Sequence, residues 1–297
     1  MDVATFGVGV ETGIALGGVY AIVGLAFNLI YAATRLFIFC LEAVVALGGI
    51  LTYVVMEDWG ASWFLAVVLC VLVGMVVGAC LDLVCRRMLV GRARKFHAAV
   101  LLVSIGLSIA ADAALGLTFG ASPKQVPGYV TSTPFHLGEV PVQWSYLVIF
   151  GVAVVIAVVV ETILRATRTG HWLRVIQDDV ETAQLLGIRV GVVNTGVFVV
   201  AGVLACVAGF LVTPISGASS QAGVHLILPA FVALALGGFG SFRGAVVGGL
   251  LVGLIDGIAA LYLEPPTVTA MIFAIVVVVL LIRPIGLFGR PEVLREV

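Results

Sequence analysis

Residues 163–189 read ILRATRTGHWLRVIQDDVETAQLLGIR, a passage that carries seven formal charges. The runs on either side of it, Tyr146–Val160 and Val190–Val212, carry none. An apolar segment of about 20 residues is long enough to cross a bilayer as a helix. The passage therefore predicts a charged loop that leaves the membrane between two spans, and the same alternation of apolar and charged segments continues along the chain.

Composition assigns the whole chain to the membrane class. Of its 297 residues, 62% are hydrophobic and 10% are charged, and the mean hydropathy is +1.25. Soluble domains carry about 25% charged residues, and the apolar runs lack the residue-by-residue alternation of an outer-membrane barrel. The sequence therefore predicts an all-α, polytopic helical bundle that forms a single transmembrane domain over residues 1–297.

The apolar runs predict eight or nine spans. They lie at residues 12–31, 36–56, 61–84, 97–119, 144–163, 191–213, 224–239, 244–263 and 267–282. The run 224–239 is short and contains Pro229, so it predicts either a full crossing or a broken, re-entrant helix. This run accounts for the difference between eight and nine spans.

The distribution of basic residues predicts the orientation. If the N-terminus is outside and every run crosses, fourteen of the fifteen Lys and Arg residues fall on the inner side and only Lys124 lies outside. Loops on the inner side of a membrane carry an excess of these residues. We therefore expect an external N-terminus, a cytoplasmic C-terminus, a cytoplasmic loop at 164–190 and an external loop at 120–143.

Apolar residues within the loop 164–190 recur at roughly helical spacing. They are Val175, Ala183, Leu186 and Val190, and charged or polar residues stand between them. This pattern predicts a short amphipathic helix, closed by Gly187. A solvated connector between two spans is the alternative interpretation.

Two acids inside the apolar runs have a basic residue one helical turn further on. Asp82 precedes Arg86 by four residues, and Glu161 precedes Arg165 by four. Oppositely charged side chains at this spacing pair on a helix surface. We therefore predict two ion pairs with a structural role near the ends of their spans.

Three further acids, Glu42, Asp112 and Asp256, have no basic residue within one turn. An ionised acid at the centre of a span costs about 2.5–3.5 kcal/mol on insertion scales, so each requires an explanation. At about 1.5 Å per helical residue, Asp112 and Asp256 lie about 20 Å from the cytoplasmic side and Glu42 about 10 Å from it. We predict a polar path with Glu42 in the inner half and the other two in the outer half. Buried groups bonded to neighbouring Ser or backbone are the alternative.

Two polar residues open the run 224–239 on its outer side. Gln221 and His225 are predicted to face an arriving solute, and interfacial hydrogen-bond donors are the alternative interpretation. The candidate path residues are therefore Glu42, Ser104, Asp112, Gln221, His225 and Asp256.

Several enzyme signatures are missing from the sequence. The two lysines, Lys95 and Lys124, follow Arg94 and Pro123, so no G-x-x-x-x-G-K-[ST] phosphate loop is present, and neither H-E-x-x-H nor G-x-S-x-G occurs. The five cysteines lack metal-ligand spacing, and a net charge of −1 offers no basic surface to nucleic acid. The sequence predicts no enzyme, no cofactor or metal bound by this chain, and no nucleic-acid partner.

Five stretches carry a resemblance to a known family. They are TGIALGGVYAIVGLAFNLIY (Thr12–Tyr31), SIGLS (Ser104–Ser108), the loop 164–190, GGFGSFRGAVVGGLLVGLID (Gly237–Asp256) and RPIGLFG (Arg283–Gly289). Together, and in this order, they resemble the branched-chain amino acid type of ABC importer permease, the smaller of its two membrane subunits. The resemblance covers nearly the whole chain. It implies a permease domain in the lipid of the bacterial inner membrane that forms half of a translocation path.

The resemblance also implies partners. These are a second related permease, two cytoplasmic ATPase subunits that bind ATP and Mg, and an external substrate-binding protein. The loop 164–190 resembles the family's coupling loop, which docks on an ATPase subunit. The candidate coupling residues are Gly170, Arg174, Asp178, Asp179, Glu181, Ala183, Gly187 and Ile188. A proton-coupled secondary transporter or channel, with the three unpaired acids as a relay, is the alternative, but it has no need of a docking loop.

One segment departs from the family's pattern. Where the family has Arg and then Asn, Phe, Ala, His, Gly and Glu, this chain keeps Arg35 and Phe39. The other positions are apolar apart from one acid: they are Ile38, Cys40, Leu41, Glu42 and Ala43. The departure predicts a nearly continuous apolar helix in place of a polar break. It also predicts a solute less polar than leucine or valine, such as an amide, an aromatic or a lipid-derived compound, with branched-chain amino acids as the second candidate.

Overall fold

The computed structural model describes residues 3–90, 97–120, 122–126, 128–129, 135–137, 140–283 and 286–288. Within these residues the chain forms eleven α-helices and one short hairpin. The helices are α1 (Val3–Thr34), α2 (Leu41–Tyr53), α3 (Trp63–Val90), α4 (His97–Phe119), α5 (Trp144–Ala166), α6 (Arg168–Asp178), α7 (Val180–Leu185), α8 (Val190–Ser216), α9 (Ala222–Gly237), α10 (Phe242–Ala259) and α11 (Pro265–Ile282). A π-helical turn, Val54–Asp58, extends α2, and strands β1 (Phe135–Leu137) and β2 (Val140–Val142) pair antiparallel.

Seven of the described helices are long and apolar enough to cross a membrane: α1, α3, α4, α5, α8, α10 and α11. The prediction of a helical, multi-pass membrane protein is therefore confirmed. Two shorter apolar helices, α2 with its π-helical turn and α9, occupy the positions of the remaining predicted spans, 36–56 and 224–239. The number of crossings depends on these two short helices.

Helix α1 lies at the centre of the bundle. In the most apolar 18-residue stretch of α1, 89% of the residues are buried within the protein, whereas the corresponding value is 17% for α4 and for α11. Glycine permits its closest contact, since a Cβ atom placed on Gly253 of α10 would lie 2.2 Å from the Cα of Gly17. Helices α3 and α8 approach each other as closely, because a Cβ on Gly78 would lie 2.3 Å from the carbonyl oxygen of Phe198. Small residues let helix backbones meet, and this packing drives helix association in membranes.

The segment between α1 and α2 is not helical. Arg35 has a left-handed backbone, with φ of 57°, which non-glycine residues rarely adopt, and α1 ends before it. The amide of Phe39 finds its partner outside a helix, because it donates to the hydroxyl of Ser104 on α4 at 3.3 Å. The predicted continuous apolar helix over 36–56 is therefore wrong. The hydroxyl of Ser104 accepts the hydrogen bond from the amide of Phe39 that a backbone carbonyl would accept in a helix.

The described part of the loop 120–143 packs against the end of α8. Lys124 and Ala218 exchange backbone hydrogen bonds of 2.9 and 2.8 Å. Tyr129 donates to the carbonyl oxygen of Phe210 and stacks on its ring, with centroids 4.3 Å apart. Since the loop 164–190 leads into the start of α8, the two loops lie at opposite ends of this helix.

Candidate functional site

The loop 164–190 contains two short helices, α6 and α7, separated at Asp179. The carboxylate of Asp179 accepts a hydrogen bond from the amide of Glu181 at 2.9 Å and from the hydroxyl of Thr182 at 2.5 Å. An Asp in this position satisfies the free amides at the start of a helix. The predicted single helix is therefore wrong, because Asp179 starts a new helix in the middle of it.

Helix α6 is held against the end of α5. A Cβ atom on Gly170 would lie 2.0 Å from the carbonyl oxygen of Leu164, and Arg174 donates to the same oxygen at 2.9 Å. The last carbonyls of a helix lack partners within it, and a cation there also interacts favourably with the helix dipole. The candidate coupling residues Gly170 and Arg174 therefore set the position of α6 relative to α5.

A small apolar cluster holds the inner face of the loop. Its buried members are Ile176, Ala183 and Val193, and Val175, Ile188 and Val190 pack against them. The amide of Ile188 donates to the carbonyl oxygen of Ala183 at 3.0 Å, and Gly187 between them has a left-handed φ of 77°. This is a common way for a helix to end at glycine. The candidate residues Ala183, Gly187 and Ile188 therefore close α7 onto the bundle.

The outer face of the loop exposes large apolar side chains. Leu185 is 88% exposed and Leu186 is 67% exposed, and Trp172 and Val180 are also exposed. Leu186 does not share the buried face of Val175, Ala183 and Val190, with which its spacing grouped it, because α7 ends at Leu185 and the chain turns at Gly187. Exposed apolar patches with a polar rim are typical of protein–protein contacts.

Sequence reasoning named the acids of the loop but missed this apolar patch. Asp178 and Glu181 are exposed, as a docking surface requires. The signal for the patch was the pair Leu185 and Leu186 at the end of a helix. Successive helical residues point about 100° apart, so two adjacent leucines do not both face one narrow core.

Three predicted path residues meet between α2 and α4. The hydroxyl of Ser108 donates to the carboxylate of Glu42, and the carboxyl groups of Glu42 and Asp112 face each other. Ser104, one turn before Ser108, accepts from the amide of Phe39. Oδ1 of Asp112 is buried without a hydrogen-bond partner among the described residues. Two carboxyl groups and a hydroxyl therefore form one polar site in a largely apolar bundle. Such a site can bind a cationic or hydrogen-bond-donating group.

Sequence reasoning did not name Ser108 as a candidate path residue, although its spacing identifies it. Ser104, Ser108 and Asp112 follow one another at intervals of four residues, which places them on one face of a helix. Ser104 and Ser108 are buried, and this face of α4 is turned toward α2.

Glu42 and Asp112 lie side by side, although their predicted depths differ by about 10 Å. The predicted separation is therefore wrong. It assumed a rise of about 1.5 Å per residue between Arg35 and Glu42. Residues 36–40 are not helical, and such a chain spans up to about 3.3–3.6 Å per residue. The non-helical segment can therefore carry Glu42 farther from Arg35 than a helix of the same length would.

The start of α9 touches the start of α2. A Cβ atom on Gly223 would lie 2.1 Å from the carbonyl oxygen of Glu42, so the two backbones are in direct contact. Gln221, the residue before α9, and His225, in its first turn, are exposed. Both predicted residues therefore lie, exposed, within two residues of the point where the backbone of α9 contacts that of α2.

Asp256 has a separate environment. Its carboxylate accepts a hydrogen bond of 2.5 Å from the hydroxyl of Tyr20, which ties α10 to α1. The structure therefore gives Asp256 a packing role between two closely packed helices and does not bring it to the acid pair.

Both predicted ion pairs are present. Asp82 and Arg86 lie 2.9 Å apart, and Glu161 and Arg165 lie 2.6 Å apart. Glu161 also pairs with Arg243 at 2.6 Å. The ion pair of α5 therefore extends to α10 and joins two helices.

Residues 9–282 match one family of known proteins, described as "Branched-chain amino acid transport system / permease component". The chain is 27% identical to the high-affinity branched-chain amino acid transport system permease protein LivH of Escherichia coli (strain K12), over 95% of this chain and 94% of that protein. It is 26% identical to the high-affinity branched-chain amino acid transport system permease protein BraD of Pseudomonas aeruginosa, over 95% of each. It is 32% identical to the ribose import permease protein RbsC of Haemophilus influenzae, over 43% of this chain and 38% of that protein. No solved structure matches the chain significantly.

Proposed function

We propose that this chain, which belongs to the family of permease components of branched-chain amino acid transport systems, forms half of the translocation path of an ATP-binding cassette importer in the bacterial inner membrane. It is a multi-pass membrane permease subunit. A related permease supplies the other half of the path, two cytoplasmic ATPase subunits bind ATP and Mg, and an external binding protein delivers the solute. The observation that carries the proposal is the apolar patch that the loop 164–190 leaves exposed.

This patch, formed by Trp172, Val180, Leu185 and Leu186, is the proposed coupling patch. It combines an apolar centre with the exposed acids Asp178 and Glu181, and protein interfaces have this layout. Helix α6, which carries part of the patch, is held firmly, because Arg174 and Gly170 fix it against the end of α5. A force applied to the coupling patch by an ATPase subunit is therefore passed to the bundle.

The proposed orientation has an external N-terminus and a cytoplasmic C-terminus. It is supported by the distribution of fourteen of the fifteen basic residues to one side and by the two loops at opposite ends of α8. Termini on opposite sides require an odd number of crossings. We therefore propose nine crossings, with both α9 and the unit of residues 35–40 and α2 passing through the membrane.

A branched-chain amino acid is the proposed solute, in line with the names of the relatives. The expectation of a less polar solute depended on Ile38, Cys40 and Leu41 facing the path. All three are buried in the core of the subunit, so they offer little surface to a solute. The facing carboxyl groups of Glu42 and Asp112 favour a solute with an ammonium group, because like charges disfavour joint ionisation and a cation relieves this repulsion. A less polar solute is the second candidate.

A proton-coupled transporter is the second candidate function. Two facing carboxyl groups can share one proton, and acids inside a membrane often form proton relays. The coupling patch favours the ABC importer, since a proton-driven carrier does not need a docking surface for an ATPase.

The coupling patch is tested by charge substitution in the assembled complex. Leu185→Glu should weaken binding of the ATPase subunits about 30-fold or more, because a central apolar contact of an interface contributes about 2 kcal/mol or more. Co-purification of the ATPase subunits at graded concentrations measures this. Gln184→Glu is the matched control, because Gln184 is the exposed neighbour of Leu185 and is not apolar. The ATPase subunits should bind this variant normally. Normal ATPase binding by Leu185→Glu would show that the loop is only a connector.

A further inference from the structure

The end of α6 is joined to the end of α1 by Arg35. The Nη2 atom of Arg35 donates to the carbonyl oxygen of Gln177 at 2.7 Å, and the guanidinium carbon lies 5.6 Å from the centre of the Tyr31 ring. Gln177 is the residue before the end of α6, so its carbonyl has no partner within that helix. The hydrogen bond and the negative end of the helix dipole therefore both favour the cation.

Gln177 also touches the turn between α9 and α10. A Cβ atom on Gly240 would lie 2.4 Å from Nε2 of Gln177. The side chain of Gln177 therefore packs directly against the backbone of Gly240. The amide of Gly240 donates to Oδ1 of Asn28 at 2.8 Å, and Asn28 is fully buried in α1. One residue at the end of α6 therefore contacts two neighbouring parts of the bundle.

Aromatic rings fill the space behind this contact. Six rings from α1, residues 36–40, α9 and the turn after it contact one another: Phe27, Tyr31, Phe37, Phe39, Phe231 and Phe239. Phe37 stacks on Tyr31 with centroids 4.8 Å apart and meets Phe239 edge-on at 5.2 Å. Close-packed groups of this kind transmit displacement because they leave little free space. A shift of the chain at Arg35 therefore reaches Phe39, three residues before Glu42.

We propose that Arg35 is a positioning residue of transport, which carries the displacement of α6 to residues 36–40 and so to Glu42 at the start of α2. Arg35 already has a left-handed backbone, and residues at the ends of helices commonly absorb the backbone rotation of a hinge. The segment after it lacks a helical hydrogen-bond ladder that would resist movement. Movement of α6 by an ATPase subunit therefore changes the place of Glu42 relative to Ser108 on α4.

This inference rests on the proposed function, since an ATPase subunit must move α6. The test uses the complete complex in proteoliposomes, with leucine as the probe solute. Arg35→Asn removes the guanidinium but keeps a residue that tolerates the left-handed backbone. We expect normal assembly and basal ATP hydrolysis, and leucine taken up per ATP hydrolysed to fall about tenfold or more, because the hydrogen bond that is lost has a charged donor.

Two variants serve as controls. Arg87→Asn replaces an exposed arginine at the end of α3 and should leave the ratio of leucine to ATP unchanged. Arg35→Lys keeps a cation and a donor and should restore most of the ratio. A general loss of stability would lower assembly and basal ATP hydrolysis together, whereas loss of coupling lowers only the ratio.

The outcomes separate the two proposals. A wild-type complex without leucine-stimulated ATP hydrolysis contradicts the proposed function. A coupled wild-type complex together with a fully coupled Arg35→Asn variant overturns the role of Arg35 and leaves the proposed function intact. If Arg35→Asn does not assemble, Arg35→Gln, which also removes the cation but has a longer side chain, replaces it: an assembled complex with a lowered ratio supports the role, and a fully coupled one overturns it.

Discussion

Helices α1 and α4 are both long, apolar and of similar mean hydropathy, yet α1 lies at the centre of the bundle and α4 at its periphery. The apolar window of α1 is 89% buried and that of α4 is 17% buried. Glycines of α1 meet the backbone of α10, whereas a Cβ atom on Gly106 of α4 would meet nothing within 4 Å. Hydropathy therefore predicts that both helices cross the membrane but does not distinguish the central helix from the peripheral one.

The peripheral helix nevertheless carries half of the acid pair. Asp112 and Ser108 of α4 face Glu42 of α2, while the acid of the central packing, Asp256, is bonded to Tyr20. A helix with few buried contacts is displaced at a lower cost in free energy than a central one. The two acids therefore have different surroundings: Asp112 lies on a peripheral helix beside Glu42, and Asp256 is bonded between two central helices.

The largest effect is expected where two helix backbones touch. Gly253→Ala places a Cβ 2.2 Å from the Cα of Gly17, which neither backbone can avoid without separating the helices. We expect destabilisation of about 3 kcal/mol or more, at the upper end of overpacked cores, seen as a lower midpoint of thermal unfolding in detergent. Gly106→Ala in α4 is the matched control and should unfold like the wild type. Equal midpoints for both variants would remove the distinction between α1 and α4.

A smaller effect should separate the two acids. Asp112→Asn should lower leucine uptake about tenfold with little change in thermal stability, because an amide does not offer the same charge to an ammonium group. Asp256→Asn should lower the free energy of unfolding by about 1 kcal/mol through a weaker bond to Tyr20, with uptake per folded complex nearly unchanged. Uptake and thermal melts of both variants measure this. The opposite assignment of the two effects would refute the role given to α4.

Much of the helical layout could be predicted from the sequence, because insertion into lipid depends on local apolarity. The span 144–163 and helix α5 differ by only a few residues, and the ion pairs of Asp82 and Glu161 follow from spacing alone. The break at Arg35 could not be predicted, since it depends on a hydroxyl of α4 that is distant in sequence.

The same limit applies to the candidate sites. The interval of eight residues between Ser104 and Asp112 places them on one face of α4, a relation that sequence reasoning did not use. The position of Glu42 beside them depends on the path of residues 36–40. The inward contacts of Gly170 and Arg174 likewise depend on the end of α5. Positions set by local pattern are predictable, and positions set by contacts between distant segments are not.

In the proposed importer, ATP is hydrolysed by the ATPase subunits, which act on this chain through the coupling patch and so drive solute across the membrane. The direct measurement is leucine uptake by proteoliposomes that contain the complete complex, external binding protein and internal ATP. We predict uptake that requires ATP, persists when a protonophore collapses the proton gradient, and is lost in Leu185→Glu. Leucine uptake by this chain alone, driven by an imposed proton gradient without ATPase subunits, would contradict the account.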